Sequence, residues 1–344
     1  MATNRRVYFA VQSVSVAQNG TTSYTAIHGL QSCNVETRFN VERIYEMGQS
    51  ETYEAIEALP DLTVTLEKVL DGYPPIYTLV TKGATSASIS GRANARASVG
   101  LSIYPDTSDS ASGTAVSQVI MSGMYVQSFT YNFPVQGNCT EQVVLVGNNK
   151  TWSSSYTSPA FDNTDEPLAD ATLSGGVQQR QDVVMGDGST SPDQPTVSIW
   201  PTHIPGITAS GTNPQQSDGS YAAHIQNVRV SANLGREQLF ELGRRGPYYR
   251  YVQFPVDVTT DIELTSSQGD NVNALEESEQ NTGNYRIFIR TREGTRVKLG
   301  TRNRLNSVTM GGAEAQQGGS NQSITLQYIG STCEIYHPQD PMGF

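Results

Sequence analysis

Residues 31–61, QSCNVETRFNVERIYEMGQSETYEAIEALPD, and residues 226–256, QNVRVSANLGREQLFELGRRGPYYRYVQFPV, align without a gap at an offset of 195. The identical columns are Gln31/Gln226, Val35/Val230, Glu42/Glu237, Glu46/Glu241, Gly48/Gly243, Tyr53/Tyr248 and Pro60/Pro255. Phe39/Leu234, Ile44/Leu239, Tyr45/Phe240, Met47/Leu242 and Leu59/Phe254 keep their character. In both stretches a polar–apolar alternation leads into (I/L)(Y/F)E(M/L)G, then a loop, then (L/F)P and a second strand-like run. A repeat constrains the fold more than any local motif, because it sets how many similar units must form. The chain reads as a duplicated β domain.

With 344 residues there is room for two domains of ordinary size. The offset predicts a first copy over 1–152, a linker over 153–195 and a second copy over 196–344, with GDGSTSPDQP (186–195) the most linker-like part. Charged residues make up only 16% of the chain, so its polarity comes mostly from Ser, Thr, Asn, Gln and Gly. That mixture suits short strands and turns better than helices. The expected fold class is therefore mainly β, two similar domains with few short helices. Cys33, Cys139 and Cys333 have neither CxxC nor zinc spacing and read as separate thiols. No run approaches the roughly 18 apolar residues of a membrane span. MATNRRVYFAVQ lacks the apolar core of a signal peptide, so a soluble chain made in the cytoplasm is expected.

Along the chain, RVYFAVQSVSVA (6–17) and TTSYTAIH (21–28) flank Asn19-Gly20, a strong hairpin signal. Strands are predicted from Leu30 to about Val41, over LTVTLEKVL (62–70) and over Val99–Tyr104. Residues 119–152 read as a hairpin turning near Gly137-Asn138. The second copy answers with YRIFIRTR (285–292), RLNSVTM (304–310) and SITLQYIG (323–330). Residues 42–61 read as a loop in which EAIEAL (54–59) has the composition for one helical turn.

Catalytic signatures are missing. His28, His203, His224 and His337 are scattered without HExxH or i,i+4 spacing. There is no GxSxG, P-loop or dinucleotide fingerprint. Asp106 with Asp109, or Asp187 with Asp193, lacks calcium-loop spacing and reads as solvated turn. The expectation is a non-enzyme with no cofactor and no metal.

Charge is informative in one place. The whole chain carries −11, against the basic face that phosphate-gripping proteins need. Residues 36–61 hold Glu36, Glu42, Glu46, Glu51, Glu54, Glu57 and Asp61 against Arg38 and Arg43. The matching 231–256 holds Arg236, Arg244, Arg245 and Arg250 against Glu237 and Glu241. Equivalent loops of opposite sign complement each other when copy one sits beside copy two of a neighbour, a head-to-tail contact that closes into rings or runs into filaments. The candidate contact residues are Glu42, Glu46, Glu51, Glu54, Glu57, Arg236, Glu237, Glu241, Arg244, Arg245 and Arg250.

GREQLFELGRRGPYYRYVQFPVDVTTDIEL (235–264) and YVQSFTYNFPVQGNCTEQVVLVGNNKTW (125–152) resemble tail tube proteins of tailed bacteriophages, especially the kind with two fused tube domains. The resemblance implies β-sandwich or barrel-like domains whose inner strands close around an electronegative lumen, and a long loop, here 42–61 and 237–256, that docks on the next ring. It implies a structural virion protein of the tail, assembled in the bacterial host cytoplasm as homotrimeric, pseudo-hexameric rings that stack into a conduit for genome ejection. Implied partners are further copies of itself, tape-measure and baseplate proteins, a sheath where the tail is contractile, and passing DNA that is not tightly bound; no membrane is implied. The acidic 49–57 departs from the second copy's RRGPYYRYV and puts in doubt whether the two loops make the same contacts. The alternatives are a baseplate or tail-terminus ring protein of the same fold, and a glycan- or receptor-binding β protein using Tyr248, Tyr249 and Tyr251.

Overall fold

The computed structural model describes residues 7, 9, 12–21, 23–105, 115–154, 176–186, 223–266, 287–300, 302–311 and 322–340. The first half contains β1 (Gln12–Gln18), β2 (Thr25–Ala26), β3 (Leu30–Arg38), β4 (Val41–Tyr45), β5 (Thr52–Glu57) and β6 (Asp61–Val69). Two short helices follow, α1 (Ile76–Val80) and α2 (Ile89–Arg92), then β7 (Ala97–Ile103), β8 (Ser117–Pro134), β9 (Thr140–Gly147) and β10 (Asn149–Ser153). The remainder supplies β11 (Val183–Gly186), β12 (Ala223–Asn233), β13 (Arg236–Leu239), β14 (Tyr249–Val252) and β15 (Val258–Ser266). It ends with β16 (Phe288–Thr291), β17 (Arg296–Lys298), β18 (Arg304–Gly311), β19 (Ser323–Gly330) and β20 (Glu334–Tyr336). The chain is mainly β, as composition predicts.

One continuous run of eight strands, β3-β6-β9-β8-β12-β15-β19-β18, joins the two halves edge to edge. Every neighbouring pair in it is antiparallel. Alternation explains the strands: Leu62, Val64 and Leu66 of β6 and Ile324, Leu326 and Tyr328 of β19 point into the core, and their neighbours face outward. Each such side chain contributes about 1.5–3 kcal/mol through burial. β8 is long enough to serve two sheets. Its first half pairs with β7 and β10, and its second half with β9 and β12. Gly123 lies at the switch with φ +69, a left-handed conformation that costs other residues about 1–2 kcal/mol.

Four strands of each half correspond in order and register. β3 maps on β12 at offset 195: Cys33, Val35 and Thr37 take the inward positions of Val228, Val230 and Ala232. β6 maps on β15 at 196, because Cys33 pairs with Leu66 where Val228 pairs with Ile262. An extra residue therefore enters between Pro255 and Val258, and the ungapped alignment fails in its last column, where Asp61 matches Asp257 rather than Val256. β9 follows on β19 at 183 and β8 on β18 at 179. The bulges coincide under the same mapping. Leu30/Ser32 falls on Ile225/Asn227, and Val126/Ser128 on Leu305/Ser307. Bulges bend a strand at a defined place, so the equivalence extends to local distortions.

Within the expected linker, residues 176–186 fold: a single 3₁₀ turn leads into β11, which pairs with β16 in the small sheet β11-β16-β17-β20. Two apolar residues at 183–184 beside Met185 make a strand that composition alone hides among Ser, Asp and Gly. The remainder of 155–195, the stretch 196–222, Asp106, Asp109, Asp187, Asp193 and His203 lie outside the described residues. The main core cluster draws on both halves. Buried polar groups join them too. Gln178 donates its backbone N–H to Leu70 at 2.8 Å and accepts from Cys139 at 2.9 Å. Glu293 accepts from the Gly72 N–H at 2.6 Å. The Arg92 guanidinium, fully buried under α2, pairs with the Asp340 carboxylate and donates to the Ile335 carbonyl. Glu141, also buried, accepts from the Ile76 and Tyr77 N–H groups that open α1 and from the Tyr131 hydroxyl at 2.6 Å.

Candidate functional site

The stretches expected to be loops are hairpins. β4 pairs with β5, and β13 with β14. EAIEAL is strand rather than helical turn, because Glu54, Ala55, Ile56 and Glu57 all pair across to β4. The two tips match: Tyr45-Glu46-Met47-Gly48 in the first and Phe240-Glu241-Leu242-Gly243 in the second. Gly48 and Gly243 both have positive φ, +93 and +82, which a turn at this point requires. Met47 and Leu242 are fully exposed at these tips.

The hairpins differ in how they sit. β4–β5 is exposed along its whole length, including Glu42, Glu46, Glu51, Glu54 and Glu57. β13–β14 lies against the first half. Arg236 donates to the Ala93 carbonyl at 2.7 Å and to the Val126 carbonyl, with its guanidinium 4.7 Å from the Tyr125 ring centre. Arg250 is buried, donates to Asn148 at 2.8 Å and faces Asp61 at 3.7 Å. Burial lowers the pKa of Arg236 to about 10 and also lowers that of Arg250, which Asp61 partly offsets. Two of the expected contact residues, Arg236 and Arg250, are thus engaged inside the chain; the first reaches one carbonyl at the β8 bulge, Val126, and one just after α2, Ala93. Glu237, Glu241, Arg244 and Arg245 are exposed. Glu241 and Arg244 pair with each other at 3.3 Å.

The tyrosines proposed for glycan stacking do not form an open platform. Tyr249 donates its hydroxyl to Asn94 and Tyr251 to Glu237, leaving only Tyr248 among the exposed residues. A groove of about 540 Å³ runs beside the β8–β12 junction, lined by Ser128, Thr130, Ser231, Asn233, Gly235 and Gln253 among others. Among the described lining residues Asp257 is the one ionisable side chain, so they offer no acid–base pair. Among the described residues no group of His, Cys, Asp and Glu could hold a metal ion, and no helix is long and apolar enough to cross a membrane. The three cysteines are free thiols.

The outward face of the eight-stranded run is polar. It presents Asn34, Glu36, Arg38, Thr63, Thr65, Glu67, Thr130, Asn132, Arg229, Ser231, Asp261 and Glu263. Arg38 pairs with Glu36 at 2.7 Å, and Arg229 lies opposite Asp261, so Glu67 and Glu263 leave the face mildly acidic. These residues were not separable from other surface carboxylates in the sequence, because only register says which side of a strand each occupies. The open edges of the run are β3 and β18; among the described strands each has one partner, β6 and β19.

No protein-family model and no curated protein matches the chain. Among solved structures it is similar to a chain of the anti-feeding prophage baseplate, over 43% of this chain and 96% of that one, at 10% identity and a TM-score of 0.33. A chain of the cap that terminates the anti-feeding prophage tube gives 45% and 95%, 12% identity and 0.32. A type six secretion system protein gives 41% and 82%, 13% identity and 0.24. These likenesses are distant and partial, and they assign no role.

Proposed function

We propose that the chain is a ring-forming structural subunit of a phage-tail-like assembly, with two duplicated β domains fused in one polypeptide. The observation that carries this is the strand order: β3-β6-β9-β8 is followed, in the same sheet and the same sense, by β12-β15-β19-β18. Two similar units already joined head to tail leave a surface at each end that differs from the other, the heterologous arrangement that closes into a ring or runs on. The coincident bulges support the duplication. Three chains would give six such units around a hole, with the polar face inward. Glu36, Glu67, Asp261 and Glu263 would then line a lumen and repel phosphate within roughly 8 Å at physiological salt.

Stacked rings make this a tail tube subunit; a ring that stops is a baseplate or tube-end component. The second reading has an observation of its own. The acidic, free-standing β4–β5 hairpin differs from the β13–β14 hairpin, whose exposed Glu237, Glu241, Arg244 and Arg245 balance in charge and which leans on its own chain. Unequal hairpins suit a ring whose faces meet unlike partners. Negative-stain electron microscopy of the purified chain across a concentration series tests both readings. Hollow polymers support the tube, and discrete rings with threefold features support the single ring. Compact monomers at every concentration would remove both.

A further inference from the structure

The join between the two halves is also a template for the join between two chains. At β8–β12, Val230 faces Tyr131, Ala232 faces Phe129, and the Leu234 N–H donates to the Gln127 carbonyl at 2.7 Å. Under the strand equivalence, β12 maps back on β3 and β8 forward on β18. Positions sealed at the internal join are open at the free edges. Leu234 is 2% exposed and its counterpart Phe39 is 73% exposed; Tyr131 is 0% exposed and its counterpart Met310 is 48% exposed. The chain therefore exposes large apolar side chains at the places where the internal join buries them, on strands whose outer edges have no partner among the described strands. An edge of this kind recruits another strand unless it is covered.

We propose that β18 of one chain pairs antiparallel with β3 of the next in the register of the β8–β12 join: Ser307 opposite Arg38, Val308 opposite Thr37, Thr309 opposite Glu36, Met310 opposite Val35 and Gly311 opposite Asn34. The Phe39 N–H donates to the carbonyl of Asn306, the bulge residue equivalent to Gln127, and the Phe39 ring covers the place on the neighbour's second half that corresponds to the Leu234 site on the first. The partner is a second copy of this chain, and the pairing rests on the ring reading above. The same step carries β4–β5 onto its neighbour's second half, as β13–β14 lies on its own first half. Val41, Ile44 and Ile56, exposed on that hairpin, then become covered.

Engineered disulfides test the register. Thr309 and Glu36 occupy a non-hydrogen-bonded pair under this mapping, with Cα atoms about 4.5 Å apart, inside the range a disulfide spans. Both are polar, outward-facing residues, so Glu36→Cys with Thr309→Cys leaves the core untouched. Oxidation is expected to link chain to chain on a non-reducing gel, stopping at the trimer. The control, Thr37→Cys with Thr309→Cys, is one residue out and on the opposite face; it should give at least about ten-fold less cross-linked chain. Equal linking in both, or linking in the control alone, overturns the register. So does the absence of linking in a preparation that forms rings by microscopy, which leaves the ring reading standing. A chain that stays monomeric at every concentration removes both. As a second variant, Phe39→Asp should abolish assembly and keep the monomer's thermal midpoint; normal rings from it would also overturn the pairing.

Discussion

At the scale of single residues, the tightest constraints are buried charges that connect distant parts of the chain. Arg92 reaches Thr81, the Ile335 carbonyl and Asp340 from a fully buried position. Asp340→Ala would leave an uncompensated guanidinium in the core, a loss of about 3–5 kcal/mol, read as a lowered thermal midpoint. A change within about 1 kcal/mol would mean that the remaining carbonyls suffice. His337 is buried, and desolvation, reinforced by Lys68, lowers its pKa from 6.5 to about 3. The unfolded chain takes up this proton as pH falls through 6.5 and the folded chain does not, so stability should fall by up to about 1.4 kcal/mol per pH unit in that window. Glu141 and Glu293, raised by burial above 4.5, act with the opposite sign: each favours the folded state at low pH and loses that contribution as pH rises from 4.5. The His337 effect is therefore read by difference. His337→Gln should lose less stability than the parent between pH 7 and 4.5, and identical slopes would refute it. None of this was visible beforehand. Arg92 sits in a run of small residues, GRANA, and His337 in a tail without period, and only the packing shows that both are interior.

At the scale of elements, alternation located β3, β6, β9, β12, β15 and β19 well, because one face of each is buried and the other wet. It failed for β4, β5, β13 and β14. A hairpin standing clear of the core has no buried face to impose alternation, so its strands resemble loop in composition. The short helices α1 and α2 carry too few residues to show a period of 3.6. The 195 offset holds for β3/β12 but drifts to 196 at β6/β15, because an insertion beside Pro255 is invisible when a column match is counted without gaps. The hairpin tips are where charge reversal is informative. Arg244→Glu combined with Arg245→Glu should leave the monomer folded, since both are exposed and their one ion pair, to Glu241, is worth about 0–1 kcal/mol. It should impair stacking of rings while leaving ring closure intact, as seen by microscopy and sedimentation. Unchanged polymers would remove the tip from the contact.

At the scale of the whole molecule, the two halves are zipped by β8 and β12 rather than strung on a linker, and their core is shared. The repeat alignment does not show this seam, because β8–β12 pairing is between unlike strands that no repeat alignment compares. In the proposed ring, fusion of the two units in one polypeptide also fixes alternation: first and second units must follow each other strictly, so the two hairpin types can diverge without being mixed. In the proposed assembly the unlike edges give a growing arc a direction. However many chains it holds, an open arc ends in one β3 and one β18, and it accepts newcomers at each end in one orientation only. A fragment with a sound β3 but no β18 could join such an arc once and admit nothing after it. Assembly thus has the grammar of a polymer with a head and a tail, and like any such polymer it is open to termination by a monomer that lacks one of them.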